Sequence, residues 1–128
     1  MTEGSYAEEI KEYYEPLNNN EIFKKKFKNQ QFKVLLNPSD DDYAALVIVD
    51  KGTISVEVIA NKPKENIGKE VLGWDAMMET TKQMFDDIDA GKISTGAVVR
   101  KMISGKIKAK NIRIVSKLEK IQALLTSK

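Results

Sequence analysis

Between Val71 and Ile107 the hydrophobic period changes twice, and this constrains the fold more than any other feature of the sequence. From Trp74 to Thr80, apolar Trp74, Ala76 and Met78 alternate with Asp75, Met77 and Glu79. This predicts a strand with the first three on one face and with Asp75 and Glu79 turned to water. The pattern then becomes helical: Met84, Phe85 and Ile88 share a stripe opposite Asp86, Asp87 and Asp89, with Thr80 or Thr81 as N-cap and Gly91 as stop. A second helix over Thr95 to Ser104 carries Val98, Val99, Met102 and Ile103, and Gly105 closes it before a strand-like Lys106 to Lys110. The order is strand, helix, helix, strand.

The rest of the chain supplies what this unit packs against. Tyr6, Ile10, Tyr13, Tyr14 and Leu17 fall on one stripe, predicting a helix from Ser5 to Glu15 that Pro16 ends. The tyrosines suit packing, and a terminal helix of this kind also suits a lid. After the turn at Asn18-Asn19-Asn20, Glu21 to Asn29 reads as a short helix with Ile22, Phe23 and Phe27 inside and Lys24, Lys25, Lys26 and Lys28 outside. Phe32 to Asn37 starts the sheet. Tyr43 to Asp50 and Thr53 to Ala60, joined at Lys51-Gly52, make a hairpin. Asn61 to Lys69 is the longest loop, and Asn111 to Leu125 is a closing helix with a broad apolar face built on Ile114, Leu118, Ile121 and Leu125. The sum is a single domain over residues 1–128 of α+β class, with an antiparallel sheet of about five strands and helices mainly on one face.

Composition narrows function chiefly by exclusion. With no cysteine and no histidine, disulfides, thiolate metal sites, the strongest nucleophile and the commonest general base are all absent. Asp75 and Glu79 would stand about 13 Å apart on a strand, too far for a catalytic pair. Asp40-Asp41-Asp42 lacks the alternating ligands and central glycine of a calcium loop, and Gly105-Lys106 lacks the remainder of a phosphate loop. The expectation is a non-enzyme with no cofactor and no metal. The longest apolar run, Ala44 to Val49, is too short to span a bilayer and the first residues carry no leader pattern, so the expected location is cytoplasmic. The net charge is only +2, yet Arg100 to Lys128 holds nine basic residues against Glu119, a charge of +8, leaving −6 on the other 99 residues. Such a basic end suits phosphates or anionic headgroups, or simply a solvated face.

One resemblance adds to this reading. Asp75-Ala76 leading into the strand, then Thr81, Phe85, Ile88 and Gly91-Lys92, a second helix, Gly105-Lys106-Ile107-Lys108 and an apolar closing helix together resemble the sterol carrier protein 2 domain, a family of small lipid carriers. The resemblance runs from about Trp74 to Leu125, and the earlier helix, strand and hairpin order fits loosely. In that family a strand opening on an acid runs into a helix that bears a phenylalanine and ends in Gly-Lys, and a later Gly-Lys-Leu strand precedes the last helix. This chain departs at Lys110-Asn111, where the family carries glycine, and at Met102 and Ile103, which stand in for paired phenylalanines.

The resemblance implies an open apolar tunnel between sheet and helices that takes fatty acyl chains, acyl-coenzyme A, sterol-like or other lipids. By facing direction, Trp74, Met78, Phe85, Ile88, Met102, Leu118 and Ile121 would line it, with Lys106 or the basic closing segment near an anionic headgroup. The same residues equally suit a dry, close-packed core. The alternative is therefore a protein-interaction or dimerisation module with the same fold and a filled interior. The expected partner is a lipid or other hydrophobic small molecule, with transient contact with anionic membranes; nucleic acid is disfavoured.

Overall fold

The computed structural model describes residues 6–90 and 92–126. Its elements run α1 (Tyr6–Tyr14), a 3-10 turn (Glu15–Asn19), α2 (Glu21–Lys26), β1 (Gln31–Pro38), β2 (Tyr43–Asp50) and β3 (Thr53–Ala60). A second 3-10 turn (Lys64–Ile67) and a single helical turn, α3 (Lys69–Leu72), lead to β4 (Ala76–Thr80), α4 (Lys82–Asp89), α5 (Thr95–Ile103), β5 (Lys108–Lys110) and α6 (Ile112–Thr126). The expected helix start at Ser5, the stop at Gly91 and the side chains of Val99 and Leu125 lie outside the described residues.

The sheet order is β3-β2-β1-β4-β5. β1 lies in the middle, and its continuous burial from Val34 to Pro38 follows from cover on both faces. The sheet is mixed, which corrects the antiparallel expectation. β1 with β2, β2 with β3 and β4 with β5 are antiparallel, but β4 runs parallel to β1, with Val34 opposite Ala76 and Leu36 opposite Met78. A parallel neighbour cannot be reached by a hairpin and needs a long crossover. Here the crossover is the chain from Asn61 to Asp75. The expected loop at Asn61 to Lys69 therefore holds a 3-10 turn and leads into α3.

The main core lies between one face of the sheet and the helices. Val34, Leu36, Val47, Val49, Ala76 and Met78 meet Tyr6, Ile10, Phe23, Phe85, Val98 and Leu118, all buried. Fully burying a large apolar side chain contributes about 1.5–3 kcal/mol, so this layer is the main source of stability. Tyr6 stacks on Phe85 at 4.7 Å, tying α1 to α4. Phe23 in α2 and Phe27 at its C-cap point inward and stack on each other at 5.3 Å, but Ile22, expected inside, is 59% exposed. A six-residue helix presents only a narrow stripe to the core, and Ile22 lies a third of a turn away from it.

Two local devices are built from polar side chains. The Asn18 side chain accepts from Ile54 N–H at 2.8 Å and donates to Ile54 O at 2.9 Å, filling one backbone pairing position on the free edge of β3. The aspartate run secures the corner where α1, α4 and the crossover meet. Asp40 accepts from Lys82 N–H in the first turn of α4 at 2.8 Å, Asp41 from Tyr6 N–H in α1 at 3.1 Å, and Asp42 pairs with Lys62 at 3.0 Å. At α4 the carboxylate lies beside the helix N-terminus, where it satisfies an orphan donor and complements the helix dipole. Lys82 also reaches Asp86 at 3.3 Å and Glu9 at 3.6 Å. Burial pulls its ammonium pKa down, but the hydrogen bond to Asp86 and the charges of Glu9 and Asp86 outweigh this, leaving the pKa above the ordinary lysine value.

Gly52 is required twice over. Its φ of 87° follows Lys51 at 47° in the hairpin turn, and an added Cβ would lie 3.1 Å from the Lys24 carbonyl oxygen. In urea unfolding, Asp40→Ala and Asp41→Ala are each expected to lower stability by about 1 kcal/mol. Calcium at about 1 mM, a level that fills weak oxygen sites, is expected to leave the transition of the wild type unmoved.

Candidate functional site

The second face of the sheet has a smaller cover. Leu35, Ala44 and Leu46 are buried there under Ile67 and Trp74, with Ile48, Ile59, Leu72 and Met77 packed around them. The cover ends where the crossover enters β4, so the β4–β5 side of this face is left open. The result is a groove of about 900 Å³, within the size range of about 300–1,000 Å³ common to small-molecule sites. Leu35, Ile67, Trp74 and Met77 form its apolar floor, and Met102 and Ile107 continue it round the edge strand. Lys69, Lys108, Lys110, Asp75 and Glu79 supply its charges.

Trp74 is fixed by the fold itself. Its Nε1–H donates to Ile67 O at 2.9 Å, and the ring is 6% exposed. A buried indole N–H without a partner would be costly, so this bond sets the ring plane. Two ammonium groups approach the ring from different walls of the groove: Lys69 Nζ from α3 at 5.9 Å and Lys110 Nζ from β5 at 6.0 Å from its centroid. The register explains the second. Met77 is opposite Lys110 and Glu79 opposite Lys108, so both lysines share the groove face with Met77 and Glu79.

At the Glu79 end the polar groups are interlocked. Glu79 accepts from Asn37 Nδ2 at 2.8 Å and faces Lys108 Nζ at 3.8 Å. Asn61 Nδ2 donates to Asn37 Oδ1 at 2.8 Å and to Asp41 O at 2.9 Å, linking this network to the start of the crossover. Among the described residues no group of three or more His, Cys, Asp or Glu is placed to hold a metal ion, and no helix is long and apolar enough to cross a membrane.

The seven residues expected to line a tunnel divide between the two faces. Met78, Phe85, Met102, Leu118 and Ile121 are buried in the main core, and half-buried Ile88 packs against it. Trp74 lies in the other cluster. Its expected place beside Ala76 and Met78 is thus corrected: β4 begins only at Ala76, so the strand alternation does not extend back to Trp74. Of the seven, Trp74 and Met102 line the groove. Met77, Lys69 and Lys110 also line the groove, and the expected set does not include them. The signal was Met77 itself, an apolar side chain between two acids on a face read as solvated; that face is partly covered, and the Glu79 side chain is only 11% exposed. Lys106 is exposed in the turn before β5.

Comparison with known proteins decides the fold. No protein-family model matches the chain. No curated protein matches it. Among solved structures, a ubiquinone synthesis protein described as UbiJ-SCP2 superposes with a TM-score of 0.62 at 7% identity, covering 95% of this chain and 88% of its own. The fold is sterol carrier protein 2-like. A conserved hypothetical protein from Thermus thermophilus, TT1886, described as a sterol carrier candidate, gives a TM-score of 0.59 at 12% identity over 90% of this chain and 79% of that one. The sec-alkylsulfatase Pisa1 from Pseudomonas sp. matches with a TM-score of 0.53 at 17% identity over 79% of this chain, but this chain spans only 14% of that enzyme. At these identities the likeness is one of fold. Within this sterol carrier protein 2-like fold the departure at Asn111 has a simple basis: Asn111 adopts φ 60°, the left-handed conformation glycine usually supplies, and its Nδ2 donates to Asp75 O at 3.1 Å. Trp74→Phe keeps most of the apolar fill and removes the bond to Ile67. The expected loss is about 1 kcal/mol, read by far-ultraviolet circular dichroism during denaturant unfolding.

Proposed function

We propose that this chain is a non-catalytic binding and transfer domain for hydrophobic ligands, holding an acyl chain or a comparable lipid in the groove on the second sheet face. The observation that carries the reading is the groove of about 900 Å³ with its floor of Leu35, Ile67, Trp74 and Met77. The sterol carrier protein 2-like fold supports it, as does the absence of histidine and cysteine from the sequence. Burying about a dozen methylenes is worth roughly 10 kcal/mol gross at ~0.8 each. Immobilising the ligand takes back a large part of that, and what remains suffices for binding without a reactive group. Methionines at Met77 and Met102 suit ligands of varied shape, since an unbranched thioether repacks easily. Loading and unloading at an anionic membrane fits the basic residues of the closing segment.

A second reading has its own observation. The space between sheet and helices, where the resemblance places a tunnel, is occupied by Met78, Phe85, Met102, Leu118 and Ile121, each at most 7% exposed. Val71 and Ile103 are meanwhile 66% and 74% exposed. A filled interior with exposed apolar side chains suits a protein-interaction module.

Native mass spectrometry of the freshly purified protein, followed by solvent extraction, tests the carrier reading; a bare mass together with no uptake of a fluorescent fatty acid at micromolar concentration argues against it. Two tryptophan substitutions locate the ligand. Met77→Trp is expected to fill the groove and abolish uptake with a stability change below about 1 kcal/mol, whereas Met78→Trp overpacks the main core and costs about 1–3 kcal/mol. The opposite pattern in titration and unfolding would place the ligand between sheet and helices.

A further inference from the structure

We infer that the groove selects amphiphiles whose polar end is an anion, a carboxylate or phosphate held between Lys69 and Lys110 at the Trp74 end, with the apolar chain laid over Leu35 and Met77. This rests on the groove being the ligand site, and it adds the class of headgroup and the direction in which the ligand lies.

The charges that border the groove are unevenly matched. Three lysines and two acids border the groove. Lys108 is matched by Glu79 at 3.8 Å, and Glu79 is further held by Asn37 at 2.8 Å. Asp75 is the acid nearest Trp74 in the chain, and its Oδ2 is turned to β1, where it accepts from Lys33 N–H at 2.9 Å. Lys69 and Lys110 make no ion pair among the described residues. Their ammonium groups rest instead within 6.0 Å of the centre of the Trp74 ring. An aromatic face is a weaker partner than an anion, because it offers a quadrupole where a carboxylate or phosphate offers full charge and directed acceptors. Lys69 stands on the crossover and Lys110 on the edge strand, so an anion accepted by both bridges the two walls above the indole.

The other end does not attract the same group. Glu79 lies two residues beyond Met77 along β4, about 7 Å from it at strand rise, and its carboxylate offsets the charge of Lys108 there, leaving no net attraction for an anion. The Trp74 end therefore keeps two ammonium groups without an ion pair while Lys108 and Glu79 balance at the other end, which gives the ligand a single orientation. Met77 lies between the two ends.

Trp74 is the chain's single tryptophan, so its emission reports on this site alone. Titrations below the micellar range with dodecanoate, dodecyl phosphate, dodecanol and dodecyltrimethylammonium separate charge from chain, and inorganic phosphate tests the anion without a chain. Both anionic amphiphiles are expected to shift the emission saturably and to bind about tenfold tighter than dodecanol, with the cation weakest and inorganic phosphate inert over the same range. Lys69→Gln with Lys110→Gln should remove the advantage over dodecanol and leave dodecanol itself unchanged, whereas Lys25→Gln, on exposed α2, should leave both. Equal affinity for dodecanoate and dodecanol, or equal losses for both in the double variant, overturns the anion cradle while leaving the hydrophobic groove standing. Saturation by inorganic phosphate alone also overturns it, since the site would then hold an adventitious ion only. If none of the amphiphiles moves the emission or displaces a fluorescent fatty acid, the groove reading itself fails, and this inference with it.

Discussion

The parallel pairing of β4 with β1 is the constraint on which the rest of the molecule depends. Once β4 returns beside β1 in the same direction, the chain must cross the sheet between β3 and β4, and the only free face is the one opposite the helices. The crossover is long enough to bury Leu35, Ala44 and Leu46 under Ile67 and Trp74, but it does not reach over β5. Full cover on one face and partial cover on the other follow from this one topological choice. The groove is the part of the second face that the crossover leaves bare.

What was legible in the sequence was local. β2 and β3 have the expected bounds, because alternation and the Lys51-Gly52 turn are written within a few residues of one another. Thr81 caps α4 through Met84 N–H, and Gly105 follows α5 with φ 83°, since capping too is decided within one turn. The direction of β4 was not legible, because nothing in a strand's own residues distinguishes a parallel from an antiparallel neighbour. The face taken by Trp74 went with it. The approach of Lys69 and Lys110 to one ring depends on the crossover and on the β4–β5 register together, so no window of sequence contains it.

The charged residues show the same division. Asp40, Asp41 and Asp42 look like a ligand cluster when read in line, but each turns to a different element. Three carboxylates committed to a backbone N–H of α1, the first turn of α4 and a surface lysine do not converge on one point. Lys69 and Lys110 are the converse case, far apart in sequence and directed at the same aromatic ring. Proximity in the chain is a poor guide to proximity of charge, and the sheet is what reassigns it.

The crossover also divides the molecule into parts of unequal consequence. Its apolar contacts belong to a cluster separate from the one that joins the helices to the sheet. Changes at Ile67, Leu72 or Trp74 are felt mainly by the small cluster, while the larger one keeps the strands in register. A lineage carrying this architecture can therefore reshape the cover of the groove by drift in some fifteen positions between β3 and β4 without searching anew for a way to fold.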